Sequence, residues 1–235
     1  MLSGDAAETM GRQAAERPGI RDSIRTQEKI LAAAQAEFAR RGYDGARIDA
    51  IVARAKISKN LLYHYFRGKE DLYIRILERT YETLRRRQSD VSVAGLDPLN
   101  AMIRLCEQTF RVFVEEPDVI VMLNTENLHR ARHIGKSTII RAMYDKLSET
   151  LRGILREGEE QGVFRKGIDP VELYISMSGL GYFYLSNQYT LSLLFNRKLG
   201  APENIQHRQA HLVDMVLSYL TREPQPGDWT PALAR

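Results

Sequence analysis

The sequence predicts an all-α protein, and three observations carry that expectation. No stretch of any length alternates apolar and polar residues as a half-buried strand does. Apolar residues recur instead at spacings of three and four through most of the chain. Glycines and prolines then cut these stripes into helix-sized pieces, at Gly42, Gly95, Pro117, Gly162, Pro170 and Pro202. With 235 residues the chain is long enough for one large or two smaller domains with real cores.

Residues 1–22 are rich in Ala, Gly, Glu and Arg with little apolar content and read as a mobile arm. Ser23 to Arg41 reads as a helix, because Ile30, Leu31, Ala34 and Phe38 form one stripe and Gly42 can end it as a left-handed C-cap. Phe38 is expected in the core. Arg47 to Arg54 repeats Ile48, Ile51 and Val52 at helical spacing, and Ala55-Lys56-Ile57 separates it from Ser58. Ser58 can accept a hydrogen bond from the free N–H groups of a first turn, so a second short helix is expected to run to Phe66. At 100° per residue its Leu61, Leu62, Tyr65 and Phe66 share one side, and Asn60, Tyr63, His64 and Arg67 share the other. Two short helices joined by three or four residues make a helix-turn-helix, whose second helix can enter a DNA major groove.

Leu62-Tyr63-His64-Tyr65-Phe66 followed by Lys69-Glu70-Asp71-Leu72 resembles the tetracycline-repressor (TetR) family of bacterial regulators over roughly residues 25–75. The resemblance implies a three-helix helix-turn-helix domain at 23–68, a connecting helix at 69–90 and an effector-binding and dimerisation domain at 91–220; Pro224, Pro226, Gly227 and Pro231 make 221–235 an irregular tail. It also implies that Tyr63 and Lys69 hold phosphates while Lys59, Asn60 and His64 lie in or beside the groove. With Arg47, Ser58 and Leu61 these make the expected DNA-facing set; Leu61 either is buried or meets a thymine methyl. Two positions depart from the family pattern. Lys56 stands where a glycine is usual and the backbone often needs φ > 0. Ala46 stands where a threonine cap is usual, leaving that cap weaker or displaced to Asp44.

Charge agrees with a polyanion partner. The chain has 34 Lys and Arg against 30 Asp and Glu, whereas Ile20 to Arg75 alone has 12 against 7, so the basic surplus lies in the N-terminal third. In the arm, Arg12, Arg17 and Arg21, with Arg25 just beyond, either reach DNA or form an idle tail.

Lys69 to Asp90 reads as one long helix, with Leu72, Tyr73, Ile76, Leu77, Thr80 and Leu84 in period; it is the expected lever between the two domains. Arg85-Arg86-Arg87 reads as its solvated end. Asp97-Pro98 opens a helix through Cys106, Phe110 and Phe113 to Glu116. Asp118 to about His133 opens another, ending in an unusually polar stretch from Asn124. Thr138 to Gln161 is amphipathic, and Asp169-Pro170-Val171-Glu172 is a capping start for a helix over 170–189. After Pro202, the residues Ile205, Gln209, Leu212, Val216 and Tyr219 keep an a/d-like spacing. Trp229 lies in the tail and could dock on the body.

In the family the last two helices pair with their copies in a four-helix dimer interface. Met177, Leu180, Tyr184, Leu212, Val216 and Tyr219 are the expected interface residues of a homodimer. An effector pocket is expected between the helices over 97–116, 118–133, 138–161 and 170–189, with Phe110, Asn127, His129, Arg130 and Tyr182 as candidate lining. Arg130 and Arg132 either grip an anionic effector or make ion pairs with Glu126 and its neighbours.

A lone cysteine, Cys106, excludes an internal disulfide and any multi-cysteine zinc site. No secretory leader and no apolar run of membrane-spanning length are visible, so a cytoplasmic protein with no membrane partner is expected, associated with the bacterial nucleoid when bound to DNA. No metal or cofactor is expected. No nucleophile elbow, Walker loop or zinc-protease helix is present, so an enzyme is not expected. Two other readings stand beside the regulator: a small α-helical enzyme using Glu126 with His129 or His133, and a helix-bundle adaptor. The adaptor leaves the helix-turn-helix unexplained. The reading reached is a DNA-binding regulator, a repressor released from a near-palindromic double-stranded operator by a small molecule of unknown identity.

Overall fold

A computed structural model describes residues 18–89 and 95–222. Arg12, Arg17, most of the expected arm and tail, and Trp229 lie outside the described residues. The chain divides into two compact units, Met1–Tyr73 and Ile74–Arg235.

In the first unit α1 covers Pro18–Gly45, α2 Ile48–Ala55 and α3 Lys59–Tyr65, and α4 (Lys69–Ser89) starts here and continues into the second unit. The stripe on α1 packs as its spacing requires, with Ile30, Ala34 and Phe38 fully buried. Phe38 meets the Tyr73 ring edge-on at 4.9 Å, and Tyr43 lies 4.8 Å from the same ring. Two boundaries differ from expectation. The first helix already begins at Pro18, so part of the expected arm is helical. Gly42 has φ 64° but ψ −178°, which is not a left-handed cap; it kinks α1, and helix resumes to Gly45. Ala46 is buried, and the residue preceding α2 is Arg47, with no side-chain cap of its own.

In the second unit α5 (Pro98–Glu115) is the central helix, packing on α6 (Pro117–Leu128), α7 (Thr138–Glu160), α8 (Pro170–Ser186) and α10 (Pro202–Thr221). Its stripe of Met102, Leu105, Cys106, Phe110 and Phe113 supplies the core. The helix starts obey their caps. Asp97 accepts from Asn100 N at 3.0 Å, and bonds from Asn100 hold its carboxyl below the usual range. Ser137 accepts from Ile140 N, and Asp169 from the N–H groups of Val171 and Glu172. Gly158 has no room for a side chain: a Cβ would lie 2.0 Å from the Phe164 ring, which folds back onto α7.

Three expectations need correction here. The helix expected over 170–189 stops at Ser186, where the Asn187 side chain donates to Phe183 O, and a separate α9 (Gln188–Leu194) follows. The helix expected to reach His133 stops at Leu128. Beyond it Arg130 and Ala131 take positive φ, and a 3₁₀ turn covers Ile134–Lys136. The tight reversal is built on Glu126, which is buried and accepts from His133 N at 2.7 Å and Ile134 N at 2.9 Å, while its other oxygen pairs with His133 Nδ1. Finally, Arg85-Arg86-Arg87 is not a uniformly solvated helix end, because Arg85 is only 7% exposed.

Candidate nucleic-acid interface

The helix-turn-helix forms as its residues dictate. After Ala55 the chain turns through Lys56 at φ 54°, ψ 50°. Lys56 N donates to Ala53 O at 3.3 Å and Ile57 N to Val52 O at 3.1 Å, the paired bonds of a Schellman motif around a left-handed residue. A lysine there does what the family's glycine does, at some cost through its Cβ. Ser58 is extended, and its Oγ accepts from Leu61 N at 3.2 Å, which starts α3.

Only one side of α3 is covered. Leu62 is fully buried and Phe66 nearly so, whereas Lys59, Asn60, Tyr63, His64 and Arg67 are exposed. Leu61 is 36% exposed, so it belongs to the open side and not to the packing side. The reason is angular: on a helix of seven residues Leu62 and Phe66 define the inward direction, and Leu61 lies about 100° away. Arg47 is exposed as well.

Both lysines of the expected set have protein partners. Lys59 Nζ donates to Asp49 Oδ1 at 2.8 Å, which raises its pKa, with both side chains well exposed. Lys69 Nζ donates to Asp44 O at 3.1 Å and lies 4.9 Å from the centre of the Tyr43 ring. Such surface contacts are weak and exchange readily with water or a phosphate. Asp49, which no sequence motif singled out, is the partner of Lys59 in this structure.

The five residues expected around an effector differ in burial and in the partners they hold. Phe110 is fully buried, with Gly181 packed so closely that a Cβ there would stand 3.0 Å from its ring. The Tyr182 hydroxyl donates to Asn124, and its ring lies 5.8 Å from that of Phe113. Asn127 is exposed and donates to Leu123 O within its own helix, and Arg130 is exposed at the left-handed turn. Glu126 pairs with His133. His129 and His133 have rings 5.4 Å apart, although they share no helix. Among the described residues no group of three or more His, Cys, Asp or Glu is placed to hold a metal.

Half of the expected dimer residues face inward. Leu212 and Met177 are fully buried and Val216 nearly so; Met177 Sδ lies 3.4 Å from Cys106 Sγ. Tyr184 donates to Leu199 O, Arg208 bonds Leu180 O, and Arg165 stacks 3.7 Å from the Tyr219 ring centre. Leu212 and Val216 of the a/d-like spacing on α10 thus belong to the stripe that covers α5 and α8, whereas Tyr219 of the same spacing is exposed. Periodicity alone cannot distinguish that from a stripe awaiting a copy. The open apolar surface lies elsewhere, at Val171, Ile175 and Phe183 on α8 and Met215 and Tyr219 on α10, all more than 40% exposed. Gly179 falls in the same α8 stripe, and a Cβ there would meet open space. Most of these residues line an open cavity of about 1140 Å³. Apolar exposure continues on α9 through Tyr189, Leu193 and Leu194 to Phe195 just beyond it.

Known proteins share both halves of this arrangement. The bacterial regulatory proteins, tetR family, match residues 30–76, and the tetracyclin repressor-like C-terminal domain matches 98–216. The HTH-type transcriptional repressor NicS of Pseudomonas putida is 35% identical over 168 residues, covering 72% of this chain and 79% of NicS. The HTH-type transcriptional repressor SCO4008 of Streptomyces coelicolor is 48% identical over 59 residues, covering 25% of this chain and 31% of that protein. Among solved structures, a TetR family transcription regulator from Marinobacter aquaeolei superposes with a TM-score of 0.65 at 20% identity, covering 88% of this chain and all of that one. The ketosteroid transcriptional regulator KstR2 of Mycobacterium tuberculosis gives 0.62 at 23% identity over 85% and 96% of the two chains, which shows the common fold. With its helix-turn-helix and its C-terminal helical domain both matched, this chain belongs to the TetR family of bacterial transcriptional regulators.

Proposed function

We propose that the protein is a homodimeric repressor that binds a near-palindromic DNA operator in the cytoplasm and leaves it when a small molecule binds the C-terminal unit. The observation that carries this is the one-sided burial of α3. Leu62 and Phe66 anchor it, and Lys59, Asn60, Tyr63 and His64 stand open in a row too polar to be waiting for a protein core. Lysine and tyrosine suit phosphate oxygens, and an asparagine amide can pair with adenine. Arg47, Ser58, Leu61 and Lys69 complete the proposed contact set, with Ser58 acting through the cap that starts α3. The names of relatives such as NicS support repression over activation.

Dimerisation is assigned to the exposed stripe of Val171, Ile175, Gly179 and Phe183 with Met215 and Tyr219, since this apolar surface is left open by the chain's own helices, and a two-fold symmetric dimer suits inverted half-sites. Release follows from linkage: an effector that favours a dimer with misplaced recognition helices weakens DNA binding by the factor by which DNA weakens the effector. Among the described residues no helix is long and apolar enough to cross a membrane. A catalytic role for Glu126 with His129 or His133 is not proposed, because both Glu126 oxygens are engaged in holding the 129–137 reversal.

The test is binding of DNA from upstream of the protein's own gene, followed by fluorescence anisotropy. A salt-dependent complex with two half-sites protected is expected. Binding unchanged when Tyr63→Phe and Lys69→Ala are combined would remove α3 from the interface.

A further inference from the structure

Arg85 has an unusual setting for a cation. It lies on α4 where α5, α7 and α8 converge, 7% exposed, and among the described residues no carboxylate comes within ion-pair distance of it. Its contacts are neutral. One terminal nitrogen donates to Gln88 and the other to the Tyr174 hydroxyl at 3.1 Å, and the guanidinium carbon lies 3.8 Å from the centre of the Tyr144 ring and 5.4 Å from that of Tyr174. Gln88 is fixed in turn by a bond to Thr109 at 3.0 Å, so its amide oxygen is held toward the arginine. Tyr81 lies 5.9 Å from Tyr144 and Tyr144 6.2 Å from Tyr174, which makes the surround aromatic.

Two buried polar atoms here have no hydrogen-bond partner: Arg85 Nε, and Ser178 Oγ one turn beyond Tyr174 on the same face of α8. A buried guanidinium is normally paired or fully hydrogen-bonded, because rings and amides return only part of its lost hydration. The same fork of donors grips a carboxylate or phosphate through two parallel bonds. Tyrosine hydroxyls beside it suit such a group, since burial pushes the Tyr144 phenol up to about 12 and keeps it a neutral donor.

We propose that Arg85 is the anchor of an oxyanion site in the C-terminal unit: the effector carries a carboxylate or phosphate that pairs with Arg85, with Tyr174, Ser178 and Tyr144 around it and its body against the tyrosine rings. The identity of that ligand as the effector rests on the repressor reading above, whereas the anion site itself does not. The sequence placed this role on Arg130, which is exposed; Arg85 was hidden within an arginine triplet that reads as solvated.

The experiment is isothermal titration calorimetry on the full chain without DNA, at constant ionic strength, with benzoate, its neutral analogue benzamide, and inorganic phosphate. Benzoate or phosphate should bind, benzamide should bind at least about tenfold more weakly than benzoate, and Arg85→Met should weaken the anion at least about tenfold. Tyr174→Phe should weaken it less. Benzoate binding without phosphate binding identifies an organic carboxylate, and the reverse identifies a phosphate group. If Arg85→Met does not fold, Arg85→Lys serves, since it keeps the charge but loses the two-fold grip and should still lose most of the affinity. Failure of both anions to bind the wild-type protein, or equal binding by the Arg85 variants, overturns the proposal. Binding that persists while operator DNA is not released would break the repressor reading and leave the anion site standing.

Discussion

The helix-turn-helix and the C-terminal unit hold positive charge in opposite ways. Lys59 and Lys69 stand at the surface, each resting on a partner that water or a phosphate can replace: the Asp49 carboxylate and the Asp44 carbonyl. Arg85 is inside, held by a phenol, an amide and the face of a ring. An exposed ammonium is screened by salt and indifferent to the shape of its anion, which suits a phosphate backbone of any sequence. A buried guanidinium admits only what fits its two-pronged geometry, which suits selection of one small molecule. The same contrast between exposed and buried divides the apolar residues of α8 and α10, where one stripe closes the core and another stays open.

Breaking that second contrast should have the largest effect. Leu212→Glu places a charge in the core and should destabilise the fold by about 3–5 kcal/mol, read as a lower urea midpoint. Phe183→Glu with Ile175→Glu lies on the open stripe; it should leave the midpoint nearly unchanged and convert dimer to monomer in equilibrium sedimentation. A folded, dimeric Phe183/Ile175 variant would move the interface elsewhere, with the apolar end of α9 as the next place to look.

Next in size are the surface lysines. Lys59→Ala with Lys69→Ala should weaken binding to every DNA sequence and lower the slope of log affinity against log salt by about 4, because the dimer loses two phosphate-neutralising charges from each protomer. Asn60→Ala should change base preference instead, by about 1–3 kcal/mol at one position, with the slope intact. A slope that survives the double lysine substitution would show that neither lysine reaches a phosphate.

A smaller gain is expected from Asp49→Asn, which removes the carboxylate that holds Lys59. DNA affinity should rise a few-fold, about 1 kcal/mol or less, and the gain should vanish in a Lys59→Ala background. Equal gains in both backgrounds would mean that Asp49 simply repels DNA. Smallest is Lys56→Gly. Relief of the Cβ strain at φ 54° is opposed by a more flexible unfolded chain, so stability should rise by no more than about 1 kcal/mol. A drop in stability would mean that the lysine side chain contributes contacts exceeding its strain.

Much of the DNA-facing half was legible in the sequence because its determinants are local. Ser58 lies three residues from the N–H it caps, the Lys56 turn closes within six residues, and Leu62 and Phe66 sit one turn apart. The caps at Asp97 and Asp169 are equally local, and so is the helical period that makes the chain all-α. Tertiary structure alone decided the rest. Apolar spacing on α10 reports that Leu212 and Val216 are covered, but whether α5 and α8 or another copy covers them depends on helices far away in sequence. The polar run after Asn124 gives no hint that Glu126 will turn back to hold His133 and end its own helix. Arg85 differs from Arg86 only in direction, by about 100° around α4, and that angle has meaning only once Thr109, Tyr144 and Tyr174 arrive from three other helices. Local hydrogen bonds can be read one turn at a time; the burial of a single charge is set by everything that converges on it.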